Sequence, residues 1–214
     1  MAFLQHHSNQ ARNTASHRAQ SLGLLRRLAA GRCPQAGLAW LACLLASALP
    51  LSAAEEVALS EHQVKAAQIL KFVHFSEWPA GSFAQTNSPY VIGIAGRDPF
   101  GKDLDRIFEN KSVKGRPFVI KRITDEQELR NCHLVFVSSS ERRRLKDLLD
   151  KLKGAAVLTV GESPEFLDQS GVINFLLKDS SVRFEINLAA AQAAKVKLDA
   201  NLLKVAVAVR GKYD

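Results

Sequence analysis

The chain has 214 residues, 47% of them hydrophobic and 23% charged, with 29 Lys plus Arg against 21 Asp plus Glu. Five basic residues and no acidic one fall in residues 1–54, so the rest of the chain carries 24 basic against 21 acidic side chains. That balance argues against a dedicated nucleic-acid-binding protein, whose footprint is a clustered basic face, and the apolar content argues against a disordered chain.

Residues 1–37 are rich in Arg, His, Gln and Ser, and lead into the apolar run Leu38–Leu49. Its 12 residues fall short of the roughly 20 that a membrane-spanning helix needs. Pro50 breaks the run, and Ser52, Ala53 and Ala54 precede Glu55 and Glu56. Positive region, apolar region and small-residue site make a secretory signal, with cleavage expected near Ala54. An uncleaved amphipathic anchor and a lipoprotein site at Cys43 fit less well, since Trp40 and Leu41 precede that cysteine. Cleavage removes Cys33 and Cys43, so Cys132 stays alone and no internal disulfide can form. A domain of residues 55–214, about 160 residues, is large enough to rely on its core.

From Ser60, a plausible N-cap, the spacing of Val64, Ala67, Ile69, Leu70 and Val73 predicts an amphipathic helix running to Pro79. Residues 80–89 read as a loop. Apolar strands are expected at 90–95, 117–123, 133–138 and 156–160. Helices are expected between them, from Asp98-Pro99, at 125–130 and at 140–152, with a short one at 164–169. That alternation predicts an α/β fold, a mostly parallel sheet covered by helices. Residues 172–177 and 182–187 then read as an antiparallel hairpin at the sheet edge. Symmetry about Asp179-Ser180 places Asn174 opposite Glu185, Phe175 opposite Phe184 and Ile173 opposite Ile186. Two helices, near 188–195 and 199–209, close the chain.

Candidate sites are few. Arg97 and Lys102 flank a strand-to-helix turn and are charge partners for a ligand there. Asp98 as N-cap and Pro99 explain the same segment without one. His74 and Glu77 stand three apart on a helix, too few ligands for a metal site. No nucleophile elbow or forced carboxylate pair occurs, so no catalytic residue, metal or cofactor is expected. Cys132 is expected as a buried small hydrophobe, with a reactive thiol as the functional alternative. On the hairpin, period-two alternation puts Asn174, Arg183, Glu185 and Asn187 on one face. That polar stripe serves either to bond a nearby turn or to recognise a partner.

The segments Lys71-Phe-Val-His-Phe-Ser-Glu-Trp-Pro79, Gly96–Gly101, Cys132-His-Leu-Val-Phe-Val-Ser138, Leu158-Thr-Val160, Gly171-Val-Ile-Asn-Phe175, Arg183-Phe-Glu-Ile-Asn187 and Leu202-Leu203 occur in that order. Together they resemble the YfiR-like family of periplasmic proteins across residues 57–210. The resemblance implies a periplasmic regulator that is no enzyme. It binds the periplasmic domain of a membrane-bound diguanylate cyclase and represses it, lowering cyclic di-GMP in biofilm and motility control. It further implies a homodimer, no nucleic-acid partner, and membrane contact only through the cyclase. Trp78, with Phe72 and Phe75, is then a candidate partner anchor. A small-ligand sensor module for another membrane signalling protein is the alternative function. Cys132 matches a family cysteine, but no partner cysteine survives cleavage.

Overall fold

The computed structural model describes residues 60–212. The expected leader and its cleavage site near Ala54 lie outside the described residues. Helix α1 spans Glu61–His74. Ser60 caps it as expected: its Oγ accepts from Gln63 N at 3.2 Å while Gln63 Oε1 accepts from Ser60 N at 3.1 Å, a reciprocal capping box. Its inner stripe, Ala66, Ile69, Phe72 and Val73, is buried. Burying a side chain such as Phe72 contributes about 1.5–3 kcal/mol. The helix ends short of Pro79, because the chain turns into β1 (Ser76–Glu77), which pairs antiparallel with β9 (Lys197–Leu198). Ser76 Oγ donates back to Phe72 O at 2.7 Å and fixes that exit.

The remaining elements are β2 (Tyr90–Ala95), α2 (Lys102–Phe108), β3 (Ser112–Val113), β4 (Arg116–Ile123), β5 (Leu134–Val137), α3 (Leu145–Leu152), β6 (Leu158–Gly161), β7 (Ile173–Lys178), β8 (Ser181–Asn187), α4 (Leu188–Ala193), α5 (Ala200–Val205) and β10 (Ala208–Arg210). Eight strands form the main sheet, in the order β10-β8-β7-β6-β5-β2-β4-β3. Strands β4, β2, β5, β6 and β7 run parallel, and β8 returns antiparallel to β7. β5 and β6 are buried along their whole length, as strands covered on both faces must be. One apolar core lies beneath α1, α2 and α5, the other beneath α3 with Phe166 and Leu167.

The hairpin register is the expected one: Ile173 faces Ile186, Asn174 faces Glu185 and Phe175 faces Phe184. Asp179 and Ser180 both adopt positive φ, 50° and 57°, the geometry of a two-residue type I′ turn.

Four expectations are corrected. The last helix stops at Val205, and β10 follows it, parallel to β8. Val205, Val207 and Val209 alternate with alanine, a strand pattern for β-branched residues. The hairpin is therefore one strand in from the edge. Residues 164–170 form turns instead of a helix, because Gly161 and Gly171 clamp the Phe166 ring. Helix α2 begins at Lys102, since Asp98 Oδ1 accepts from Phe100 N at 2.7 Å and from Gly101 N at 3.2 Å and closes a turn first. Residues 139–144 are 3₁₀ before α3 begins.

Candidate partner-docking groove

Where α1, β8 and α5 meet, the sheet is only partly covered. A groove of about 490 Å³ opens there, floored by Phe72, Phe75, Phe184 and Leu202 and walled by Val182 and Val205. Gln68, Lys71, Arg183 and Asn201 complete its lining. Gln68 Nε2 donates to Val182 O at 3.4 Å, while its Oε1 is buried without a partner. The apolar surface runs on past the groove. Leu177 opposes Val182 across the hairpin and is 61% exposed, and Val205 is 64% exposed. Val207 and Val209 are exposed beside them, with Val207 N donating to Phe184 O at 3.0 Å. A contiguous apolar surface of this kind, rimmed by polar groups, marks an interaction site.

The groove thus unites Phe72, Phe75 and Arg183 of the sequence-predicted residues. The others lie elsewhere. Asn174 is buried on the opposite face of β7 from Ile173 and Phe175. Its Nδ2 donates to Glu185 Oε1 at 3.3 Å, and its Oδ1 is unpartnered. Arg210 bridges Asp168 at 2.6 Å and Glu185 at 3.6 Å. Asn187 Nδ2 donates to Leu167 O at 3.1 Å, and its Oδ1 caps α4 through Ala190 N at 3.1 Å. Asn187 and Glu185 therefore tie β8 to the 162–171 turn and to β10. That is the stripe's structural role.

Arg97 and Lys102 sit near the carboxyl ends of β2 and β5, where the strand order reverses. Open α/β sheets take ligands at such a switch point. Here the chain's own groups fill it. Gly96, at φ 89°, packs against the side chains of Ser140 and Glu141, closer than any Cβ would allow. Ser140 Oγ accepts from Arg97 N at 2.9 Å. Glu162 Oε1 accepts from Ser139 N at 3.2 Å, and Glu162 Oε2 meets Lys65 Nζ at 2.8 Å. Arg122 clamps the turn below, bonding Asp98 at 3.0 Å, Gly101 O at 3.0 Å and Asp105 at 2.6 and 2.8 Å. The Arg122 hydrogen bonds hold the Asp105 carboxyl below its ordinary value. The side chains of Arg97 and Lys102 are exposed and carry no ion pair among the described residues.

Trp78 is not part of the groove. It is half-buried in an aromatic cluster, its Nε1 donating to His133 O at 3.0 Å and its ring 5.4 Å from that of Tyr90. Phe83 stacks on His133 at 4.4 Å, and the Arg116 guanidinium lies 3.8 Å over Phe83. His133 Nδ1 accepts from Val91 N at 3.1 Å, so the proton resides on Nε2, which donates to Ser82 O at 3.0 Å. Burial, with the Arg116 charge, holds the imidazole below its ordinary value of 6.5, although the Ser82 bond opposes this. As pH falls below 6.5 the unfolded chain takes up this proton first, so stability is lost progressively down through the depressed folded value. The midpoint of thermal unfolding should therefore fall between about pH 7 and pH 5.5 in the native protein. His133→Gln should remove that dependence. An unchanged slope in the variant would assign the acid sensitivity to other groups.

Cys132 is buried, its Sγ 3.5 Å from Glu128 O and pressed against Gly93. Burial pushes the thiol up to about 11. At neutral pH it is a protonated core side chain, and a thiolate is what a reactive cysteine needs.

Among the described residues no group of three or more His, Cys, Asp or Glu is placed to hold a metal ion. No helix among them is long and apolar enough to cross a membrane.

The family model described as YfiR/HmsC-like matches residues 62–207, more than half of the chain. No curated protein matches significantly. Among solved structures, a conserved domain protein from Vibrio cholerae O1 biovar El Tor is 9% identical, covering 71% of this chain and 61% of its own, with a TM-score of 0.48. The ABC domain in complex with L-Trp from Streptococcus pneumonia is 10% identical, covering 67% of this chain and 60% of its own, with a TM-score of 0.46. The chain spans less than two thirds of either structure.

Proposed function

Because the chain belongs to the YfiR/HmsC-like family, whose theme is regulation of diguanylate cyclase signalling, we propose that it is a periplasmic repressor. In this reading residues 1–54 are a leader removed on export. The mature protein binds the periplasmic domain of an inner-membrane diguanylate cyclase, holds it inactive and lowers cyclic di-GMP. The observation that carries it is the groove at α1, β8 and α5 with the exposed Leu177, Val205 and Val207 beside it. Stabilising one state of a partner requires a surface that binds that state better, and this groove with its exposed apolar margin is such a surface. The crevice at the strand ends, by contrast, is taken up by Lys65, Glu162, Ser140 and Glu141.

A homodimer, which the family resemblance implies, belongs to the same proposal and forms through another face. The test is cellular cyclic di-GMP in a clean deletion strain and in that strain carrying the gene with its leader. A rise on deletion, reversed by complementation, is expected. Unchanged cyclic di-GMP, with export of the protein demonstrated, overturns the repressor reading.

A further inference from the structure

The groove is apolar at its floor and cationic at its rim. Its two charged lining residues, Lys71 and Arg183, are both basic, and neither forms an ion pair among the described residues. The surrounding segment 178–212 holds seven basic and three acidic side chains. Glu185 and Arg210 pair on the other face, and Asp199 caps α5 through Asn201 N at 2.7 Å, which leaves six basic side chains of the segment against Asp179. The near-neutral balance of the chain after residue 54 is therefore locally broken, and it is broken around the one apolar groove described above.

We infer that the groove accepts a segment of another protein in which a large apolar side chain is flanked by carboxylates. The apolar side chain fills the space between Phe75, Leu202 and Val205, and the carboxylates meet Lys71 and Arg183. This rests on the partner-binding reading above and specifies the chemistry of the partner. Complementary charge at the rim sets specificity and encounter rate, while the desolvated centre supplies affinity. A second copy of this chain does not satisfy the rim. A two-fold contact through the groove presents the same patch from both sides, and so brings two cationic rims together.

Panning a phage-displayed random peptide library on the purified protein tests this without any assumption about the cyclase. The expected peptides carry an aromatic or large aliphatic residue between two or more Asp or Glu. Their synthetic forms should bind about tenfold more weakly to Val205→Glu and to Lys71→Glu combined with Arg183→Glu, and more weakly as salt rises. All three positions are exposed, and unchanged thermal unfolding of the variants checks that they fold.

Enriched peptides without acidic residues, absence of enrichment, or affinities indifferent to both variants overturn the inference. So does a wild-type dimer that Val205→Glu makes monomeric, or groove-dependent binding to phosphatidylglycerol vesicles. A cyclase domain that fails to bind overturns the repressor reading and leaves this one standing. Charge-indifferent peptides overturn this one alone.

Discussion

Lys65→Met should destabilise the protein by about 3 kcal/mol, the lower end of the range for stripping a buried charge of its partner. Lys65 Nζ lies 2.6 Å from Glu61 and 2.8 Å from Glu162, and the Lys65 and Glu162 side chains are 8% and 13% exposed. Burial alone pushes the Lys65 ammonium down, but the hydrogen bonds and charges of Glu162 and Glu61 outweigh it and hold it above 10.5. Burial likewise pushes the Glu162 carboxyl up, and the bonds from Lys65 and Ser139 N outweigh that, holding it below 4.5. Without the lysine, Glu162 remains desolvated with only the Ser139 N–H.

Urea unfolding should show the loss at neutral pH. The penalty should shrink as pH falls towards the carboxylate range, because the abandoned Glu162 then takes up a proton at little cost. Lys65→Met with Glu162→Leu should recover most of the stability, since well-packed apolar pairs often replace a buried ion pair without loss. A single variant costing under about 1 kcal/mol would show that water reaches the pair as it reaches a surface ion pair.

Gly161→Ala and Gly171→Ala should each cost about 3 kcal/mol or more, at the upper end of overpacking effects. A Cβ at either position falls well inside 3.0 Å of the Phe166 ring, and at Gly171 it also meets Phe166 O at 2.7 Å. Phe166 is fully buried, so its ring has nowhere to swing. Neither glycine has positive φ, so the penalty is steric and should be relieved by shrinking the ring. Phe166→Ala alone should cost about 3–5 kcal/mol through the cavity it leaves. In the Gly161→Ala background it should cost markedly less, a coupling that a double-mutant cycle measures. Additive losses would mean that the ring and the glycine do not share the space.

These elements also show what a sequence makes legible. The central strands are buried on both faces, so their apolar runs are nearly continuous and stand out. The hairpin register follows from its turn: once Asp179 and Ser180 are its centre, every cross-strand pair is fixed. What stayed hidden depends on long-range contact. The end of α1 is decided by β9, some 120 residues later. The turn at 162–171 is shaped by one ring between two glycines. Strand β10 carried a local signal, the alternation Val205-Ala-Val-Ala-Val209, that the helix-forming stretch before it outweighed.

Of the candidate residues, the groove gathers Phe72, Phe75 and Arg183. Trp78 shares their motif, but its indole N–H is committed to the backbone of β5's entry. Gln68 and Val205 carry no signal that joins them to these residues, because a groove between three elements distant in sequence has no linear signature.

Strand β10 follows β8 in the chain by some twenty residues and pairs with it. Whenever the polypeptide emerges from its N-terminus onwards, β8 waits with an open flank until residue 210 is available. An open flank is a template for the wrong neighbour, and proteins guard such flanks with charge. On the stretch of β8 that β10 will cover, the residues that face away from the core are Glu185 and Asn187. Before Arg210 arrives to bridge Glu185, they give the waiting strand a polar side unfavourable to pairing with another unfinished molecule. The same two residues that lock the completed sheet thus act earlier as sentinels, and cleavage ahead of residues 208–210 would lay that flank open again.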